Sequence, residues 1–489
     1  MPADQPPSFA RILSGLAKTD PDRTAIVCAG ERVSRAELER RANRLARAYL
    51  ERGVQVGDFV SIVLPNSIEF YVALVAAWKV GAVPAPLSAR MPAGERDEIL
   101  KIADPRLVVG LDTTAWPSLP AGYLPAHSEA PLPDRISPAW KAPASGGSTG
   151  RPKLIVAGQP SVLPADTGKL FHQRADDRQL VAGPLYHNSP LTFSSLGLFL
   201  GQELVVLPSF DAVAALKAIE RHRITWVNVV PTMMLRMLRA IEAEPGRYDV
   251  SSLRILWHMA APCPDWLKQA WIELIGPDAV IEMYGSTESI AYTVITGTEW
   301  LTHRGSVGRP LSGEITILDA AGKPAPAGEV GEVFMRSVIP MYHYKGAEAR
   351  RHGDWESVGD LGRLDDDGFL YLSDRRTDLI LSGGANVYPA EVEAAIAEHP
   401  AVLTCAVVGL PDADLGQRVH AVVQTAAELT ETELLAYLAE RLVRYKIPRS
   451  VDFVDQPLRS DAGKVRRGAV RDAAIERLGG TVSGKDSDG

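Results

Sequence analysis

Hydrophobic and polar positions along this chain follow two periods. Residues 35–53 set Leu38, Ala42, Leu45 and Leu50 among charged neighbours, the spacing of an amphipathic helix. Phe59–Leu64 is a short apolar run closed by Pro65 and Asn66, which predicts a buried strand and a turn. A helix over 67–80 and a strand over Val83–Pro86 follow. The same succession recurs at Leu204–Leu207, 211–222, Trp226–Val230 and 232–243, and again at Ile255–His258, 264–275 and Val280–Met283. Strand, helix and strand in short order predict an α/β fold. The stretch 113–143, rich in Pro and Ala, reads as a surface connection. Glycines and aspartates cluster near 365–390, and beyond them the pattern shortens to α+β: helix 389–398, strands 401–408 and 418–424, helix 430–443 and strand 450–454. The expected architecture is a large N-terminal domain of stacked α/β subdomains over 1–376 and a small α+β C-terminal domain over 377–475. A disordered tail over 476–489 completes it.

Composition narrows the function classes. With 489 residues, 46% hydrophobic and 23% charged, the chain reads as a globular protein of more than one domain. Its most apolar stretch, Phe70–Leu87, is interrupted by Lys79, Gly81 and two prolines, so no membrane span is expected. The N-terminus lacks a basic start followed by an apolar run, so no signal peptide is expected. Cys28, Cys263 and Cys405 lie too far apart for a metal spacing or a disulfide framework, which points to the cytoplasm. A net charge of −8 speaks against nucleic acid as a partner. Basic residues still cluster late in the chain, at Arg441, Arg444, Lys446 and Arg449 and at Lys464, Arg466, Arg467 and Arg471, where a small anionic ligand could be met.

Four short runs carry candidate chemistry. Ser145-Gly146-Gly147-Ser148-Thr149-Gly150-Arg151-Pro152-Lys153 offers small residues, amides and hydroxyls that can cradle phosphate oxygens, with a lysine to add charge. It lacks the Walker A ending, and by itself it serves as a linker just as well. Tyr284-Gly285-Ser286-Thr287-Glu288 directly follows an apolar strand, at the edge where α/β ligand sites form. Thr287 could donate to phosphate and Glu288 could hold Mg²⁺, although a strand-ending turn with a solvated Glu has the same sequence. Gly359-Asp360-Leu361-Gly362 could accept two ribose hydroxyls through Asp360, with Asp374-Arg375 downstream; both are also ordinary turn sequences. Lys464, in Asp461-Ala462-Gly463-Lys464, is either a lysine delivered into a site or one of many surface lysines.

In this order and separation the four runs resemble the adenylate-forming superfamily of acyl-CoA synthetases, peptide-synthetase adenylation domains and luciferases, over about residues 10–472. The resemblance implies ATP, Mg²⁺ and coenzyme A as cofactors and a small carboxylic acid as substrate. It implies that the 145–153 loop grips pyrophosphate, that Thr287 meets phosphate, that Glu288 holds the metal, and that Asp360 and Arg375 meet the nucleotide. Lys464 would contact the carboxylate and α-phosphate, Ala260, Ala261 and Pro262 would flank adenine together with Glu282 and Met283, and His187 would gate the acyl site. After adenylation a mobile small domain would swing about Thr377, bringing Gly383 and Gly384 to a thiol tunnel and Lys446 to CoA phosphate.

Some positions depart from the family pattern. Leu154 follows Lys153 where Gly is usual, the loop core follows Ser-Gly-Gly, the hinge residue is Thr377, and Ser-Asp-Ala replaces the usual run before Gly463-Lys464. A member specialised for thioesterification of a supplied adenylate would carry such changes. The expected acyl walls, His187–Leu198, Asn228–Leu238 and His258–Cys263, are apolar, small and Met-rich, and suggest no second charge in the substrate. The Ser-Gly-Gly-Ser-Thr-Gly and Ala-Ala-Pro-Cys-Pro runs look like those of bile-acid or steroid-side-chain CoA ligases, which implies a bulky alicyclic or terpenoid-like acid. Rival readings are an enzyme loading a carrier protein and a non-catalytic nucleotide-binding regulator; a homodimer is left open.

Overall fold

The computed structural model describes residues 6–146, 152–412, 414–459 and 465–477. Its centre is a nine-stranded sheet. In spatial order the strands are Arg309–Ser312, Tyr292–Thr296, Val280–Gly285, Ile255–Met259, Trp226–Val229, Arg178–Val181, Glu203–Val206, Thr24–Cys28 and Glu31–Ser34. The six strands from Val280–Gly285 to Thr24–Cys28 run parallel, and the outer ones pair antiparallel. A second, parallel sheet holds Val83–Pro86, Phe59–Ile62, Leu107–Val109 and Ser118–Leu119.

Helix Ile68–Lys79 shows why the most apolar stretch carries no clear stripe. All of its residues but Glu69 are buried, because it lies between the two sheets, against Ile26, Leu204 and Val206 of one and Val60, Ile62 and Val109 of the other. A helix enclosed on every side needs apolar residues all round. Helices Ala212–His222, Pro231–Ala243 and Asp265–Ile275 cover one face of the central sheet, and helix Asn188–Leu200 covers part of the other.

A small antiparallel sheet (Ala144–Gly146, Pro152–Ala157 and Tyr342–Lys345) and a five-stranded one built around Trp355–Leu364 complete the large lobe. The chain leaves the latter through strand Leu370–Arg375 and enters the small lobe's sheet at Ile380–Ser382. There the strands Val402–Asp412 and Gly416–Thr425 pack against helices Pro389–Ala397, Glu431–Ala439 and Arg467–Arg477. The α/β class with a large N-terminal and a small C-terminal lobe is the expected one.

One sequence expectation fails. The end of the 113–143 stretch is not a surface connection: Ser137, Ala139, Lys141 and Ala142 are buried. Ala142 N–H donates to Pro84 O and Ala157 N–H to Lys141 O, so this segment adds backbone pairing to two sheets. Proline spacing looked like a loop because an irregular edge segment has no alternation to display.

Candidate active site

The carboxyl ends of strands Ile255–Met259 and Val280–Gly285 build one wall of a cleft. Met259 sits opposite Met283, so Ala260–Pro262 and Tyr284–Glu288 leave the sheet side by side. Ala260 has φ +74° and Ser289 φ +55°, the left-handed turns that redirect both segments at the sheet edge. Tyr284 reaches across to the five-stranded sheet, where its hydroxyl donates to Asp360 Oδ2 at 2.7 Å. Asp360 is buried and stands in register with Arg375 on the neighbouring strand. The backbone pairing therefore sets these two sequence candidates opposite each other, and the side chain of Arg375 lies outside the described residues.

The Ser/Gly loop enters from a third direction. Ser145 pairs with Lys153 and Gly146 with Pro152 in a hairpin whose tip, Gly147 to Arg151, lies outside the described residues. Strand Tyr342–Lys345 flanks it, with Tyr344 opposite Ile155. Lys153 Nζ comes within 3.3 Å of Glu288 Oε1 and 3.7 Å of the Tyr344 ring centre. The Tyr344 hydroxyl donates to the same Oε1 at 2.5 Å. Burial and the Glu288 carboxylate push the Tyr344 phenol up, so it stays a donor at any working pH. Both contacts use Oε1, which leaves Oε2 of the buried Glu288 open to a further partner among the described residues.

Phosphate and Mg²⁺ fit this donor set. Ser286 Oγ is buried with no hydrogen-bond partner among the described residues, a group that a ligand oxygen would satisfy. Lys153 supplies a cation, and Glu288 supplies a hard oxygen of the kind Mg²⁺ takes one or two of when phosphates provide the rest. Thr287 shares the Ser286–Ser289 turn, and its carbonyl accepts from Ser289 Oγ at 3.4 Å. Metal and nucleotide together would add Lewis acidity at the phosphates.

His187 precedes helix Asn188–Leu200 as its N-cap, with its ring 4.3 Å from that of Tyr186. The helix turns Ser189 and Phe193 to the central sheet: Ser189 Oγ donates to Asn228 Oδ1 at 2.5 Å, and Phe193 packs against Trp226, Trp257 and Phe171. This face packs with Met259 and Met283 into a closed apolar core.

Three sequence expectations need correction here. Glu282 does not face the cleft. Strand alternation turns it with His258 toward helix Asp265–Ile275, where Lys268 Nζ bonds its Oε2 at 2.7 Å. Met233, Met234 and Met237 do not line an acyl pocket, because helix Pro231–Ala243 buries them on the opposite face of the sheet. Lys446, expected at CoA phosphate, holds both oxygens of Glu391 at 2.5 and 2.7 Å, so its charge is already matched. Gly383 and Gly384 form the two-residue tip of the Ile380–Ser382/Ala385–Val387 hairpin, at φ +57° and +81°. Lys464 lies outside the described residues. Sequence reasoning missed Tyr344, whose only signal was its alternation with Tyr342 in a short strand, and Lys268, one lysine on an amphipathic helix.

Comparison with known proteins agrees with this geometry. The AMP-binding enzyme family matches residues 15–141 and 142–344, and the AMP-binding enzyme C-terminal domain matches 391–464. The chain is 34% identical to a feruloyl-CoA synthase of Amycolatopsis sp, over 93% of this chain and 96% of that one. It is 30% identical to a 2-succinylbenzoate–CoA ligase of Bacillus cereus, over 93% and 97% of the two chains. Its fold superimposes with a TM-score of 0.81 on the o-succinylbenzoate CoA synthetase of Bacillus subtilis in complex with its acyl-adenylate intermediate, at 28% identity over 96% of this chain and 98% of that one. With matches of this extent on both lobes, the chain belongs to the AMP-binding, adenylate-forming enzyme family.

Proposed function

We propose that this protein is an AMP-forming acyl-CoA ligase acting on a bulky, ring-bearing carboxylic acid. One observation carries the reading: Lys153, the Ser286–Glu288 turn and the Tyr284–Asp360 pair, from three separate sheets, converge on a single cleft. In the first half-reaction the substrate carboxylate attacks the α-phosphorus of ATP and pyrophosphate departs. Lys153 and a metal held by Glu288 would meet the charge that builds on the phosphates, and Asp360 with Arg375 would fix the ribose. Lys464 would close on the carboxylate. In the second half-reaction a thiol attacks the acyl carbon, AMP leaves and the thiol proton is released. A swing of the small lobe about Thr377 would exchange Lys464 for the Gly383–Gly384 hairpin.

The feruloyl-CoA synthase and 2-succinylbenzoate–CoA ligase relatives are named for ring-bearing acids, which supports a ring-bearing acyl group, alicyclic or aryl, over a short one. The similar proteins are named for different acids, so the acid itself has to be assayed. Coenzyme A is the proposed acceptor, with a carrier protein as the alternative outcome.

The test measures both half-reactions separately, acid-dependent ATP–pyrophosphate exchange and thioester formation with free CoA, over alicyclic, aryl and two-carbon acids. Ring-bearing acids should lead in both. Lys464→Ala should depress exchange at least about tenfold more than thioester formation from supplied acyl-AMP, the difference that one charge-assisted contact to the reacting groups makes. Turnover of acetate alone, or no thioester with free CoA, would remove the reading.

A further inference from the structure

Three lysines are buried among the described residues: Lys79 at 3%, Lys141 at 5% and Lys268 at 0% exposure. Two have a carboxylate: Lys79 Nζ meets Glu39 Oε1 at 2.8 Å, and Lys268 Nζ meets Glu282 Oε2 at 2.7 Å. Lys141 has none. Its ammonium donates to Asn188 Oδ1 and, at 2.7 Å, to Thr192 Oγ1, and it lies 4.0 Å from the centre of the Trp140 ring. All three partners are neutral. Buried charge is ordinarily matched by charge, because neutral dipoles recover only part of the lost hydration.

The surroundings add positive potential instead of relieving it. Asn188 and Thr192 occupy the first two turns of helix Asn188–Leu200, whose N-terminus carries the positive end of the helix dipole and whose first turn holds no acidic residue. Asn188 turns its carbonyl oxygen to the lysine, so its amide Nδ2 points elsewhere, and Nδ2 donates to nothing among the described residues. Asn188 and Thr192 are only half-buried, so the cluster has an open side, on the helix that His187 caps. The lysine's own backbone is pinned, through Ala157 N–H to Lys141 O and Ala142 N–H to Pro84 O. Burial lowers Lys141 to about 7, and an anion beside it would favour the charged form.

We propose that Lys141, with Asn188, forms a subsite for a second, oxyanionic group of the acyl substrate, a carboxylate or sulfonate other than the one that is activated. This deepens the acyl-CoA ligase reading and rests on it for the identity of the ligand. It also revises the sequence expectation of a substrate without a second charge: the lysine lay in the stretch taken for a surface connection.

The test compares a ring-bearing dicarboxylic acid with its distal monomethyl ester. Their KM values are read in pyrophosphate exchange, and their affinities by isothermal titration without turnover. The wild type should prefer the diacid. Lys141→Met keeps the length and apolar stem; it should weaken the diacid by about tenfold or more and leave the ester, ATP and CoA within about twofold. Asn188→Asp supplies the missing carboxylate from within, so it should raise Tm and weaken the diacid alike, which guards against a mere folding defect in the first variant. Equal loss for diacid and ester, or a rise in the KM for CoA alone, would overturn the subsite. So would unchanged diacid affinity in Asn188→Asp. Lys141-dependent diacid binding in a protein that activates no acid would uphold the subsite and sink the ligase reading instead.

Discussion

Single residues decide how firmly the nucleotide is held. Asp360 can fix a ribose only if its carboxylate is aimed, and the Tyr284 hydroxyl at 2.7 Å does the aiming. Asp360→Ala should raise the KM for ATP by roughly thirtyfold, about 2 kcal/mol for hydrogen bonds to a charged group. Tyr284→Phe should raise it by less, because the carboxylate remains and only its orientation is freed. An unchanged KM in Asp360→Ala would return that residue to a plain turn. His258 governs stability instead. Both of its ring nitrogens are buried without partners among the described residues, beside the Lys268–Glu282 pair, and burial holds it at about 4, against the pull of the Glu282 carboxylate and with a smaller push from the Lys268 charge. The unfolded chain takes up a proton near pH 6.5 that the folded chain refuses until about pH 4. Stability contributed by His258 is therefore complete above about pH 6.5 and lost as pH falls through that window, by roughly 2 kcal/mol at pH 4.5. Denaturant unfolding at pH 7 and 4.5 should show a smaller loss in His258→Leu than in the wild type; equal losses would show that the imidazole is not buried neutral.

At the scale of elements, the cleft works because short strands from different sheets stop beside one another. Strand Tyr342–Lys345 contributes no sequence motif, yet it carries the phenol that engages Glu288. A metal on the open Oε2 of Glu288 would share the carboxylate with the Tyr344 hydroxyl on Oε1, which draws off part of its charge. Tyr344→Phe should then lower the Mg²⁺ concentration for half-maximal pyrophosphate exchange by about threefold, since a hydrogen bond that draws on the carboxylate's charge is removed. A higher Mg²⁺ requirement in this variant would mean that the phenol positions the carboxylate rather than restrains it. Elements of this kind also mark the limit of what sequence shows. The parallel strands and their helices are legible because burial on one or both faces imposes a period: Arg35–Glu51, Val83–Pro86 and Ala212–His222 fall within two residues of expectation. The faces are harder. Met233, Met234 and Met237 read as pocket-forming from composition, but the helix turns them to the other side of the sheet, a choice fixed by tertiary packing. Tyr344 and Lys141 were invisible for a related reason: their partners lie 56 and about 50 positions away, and neither pairing leaves a trace in local periodicity.

Across the whole molecule, two of the contacts between the lobes among the described residues differ in kind. Arg239 of helix Pro231–Ala243 donates to the Val402 carbonyl, and Arg466 Nη2 meets Glu95 Oε1 of helix Ala93–Ala103 at 3.2 Å. Arg466 is two positions from Lys464, so whatever holds Arg466 biases where that lysine can go. The ion pair is largely exposed, with Arg466 at 75%, and such pairs contribute at most about 1 kcal/mol, a factor of roughly five in a lobe equilibrium. If the lobes exchange arrangement in every turnover, as proposed, a bias of that size can be overcome each time, where a much stronger latch would slow the exchange. Glu95→Gln should therefore change the ratio of adenylation to thioesterification by up to about fivefold in low salt. In about 1 M salt, where the Debye length falls to roughly 3 Å, the variant and the wild type should converge. The measurement is pyrophosphate exchange against thioester formation from supplied acyl-AMP, at both salt concentrations. Arg239 offers a control, because its contact is to a backbone carbonyl and depends far less on salt; Arg239→Ala should shift the same ratio at both. If the Glu95→Gln ratio stays at the wild-type value in low salt, the pair is a bystander and the lobes are set by other contacts.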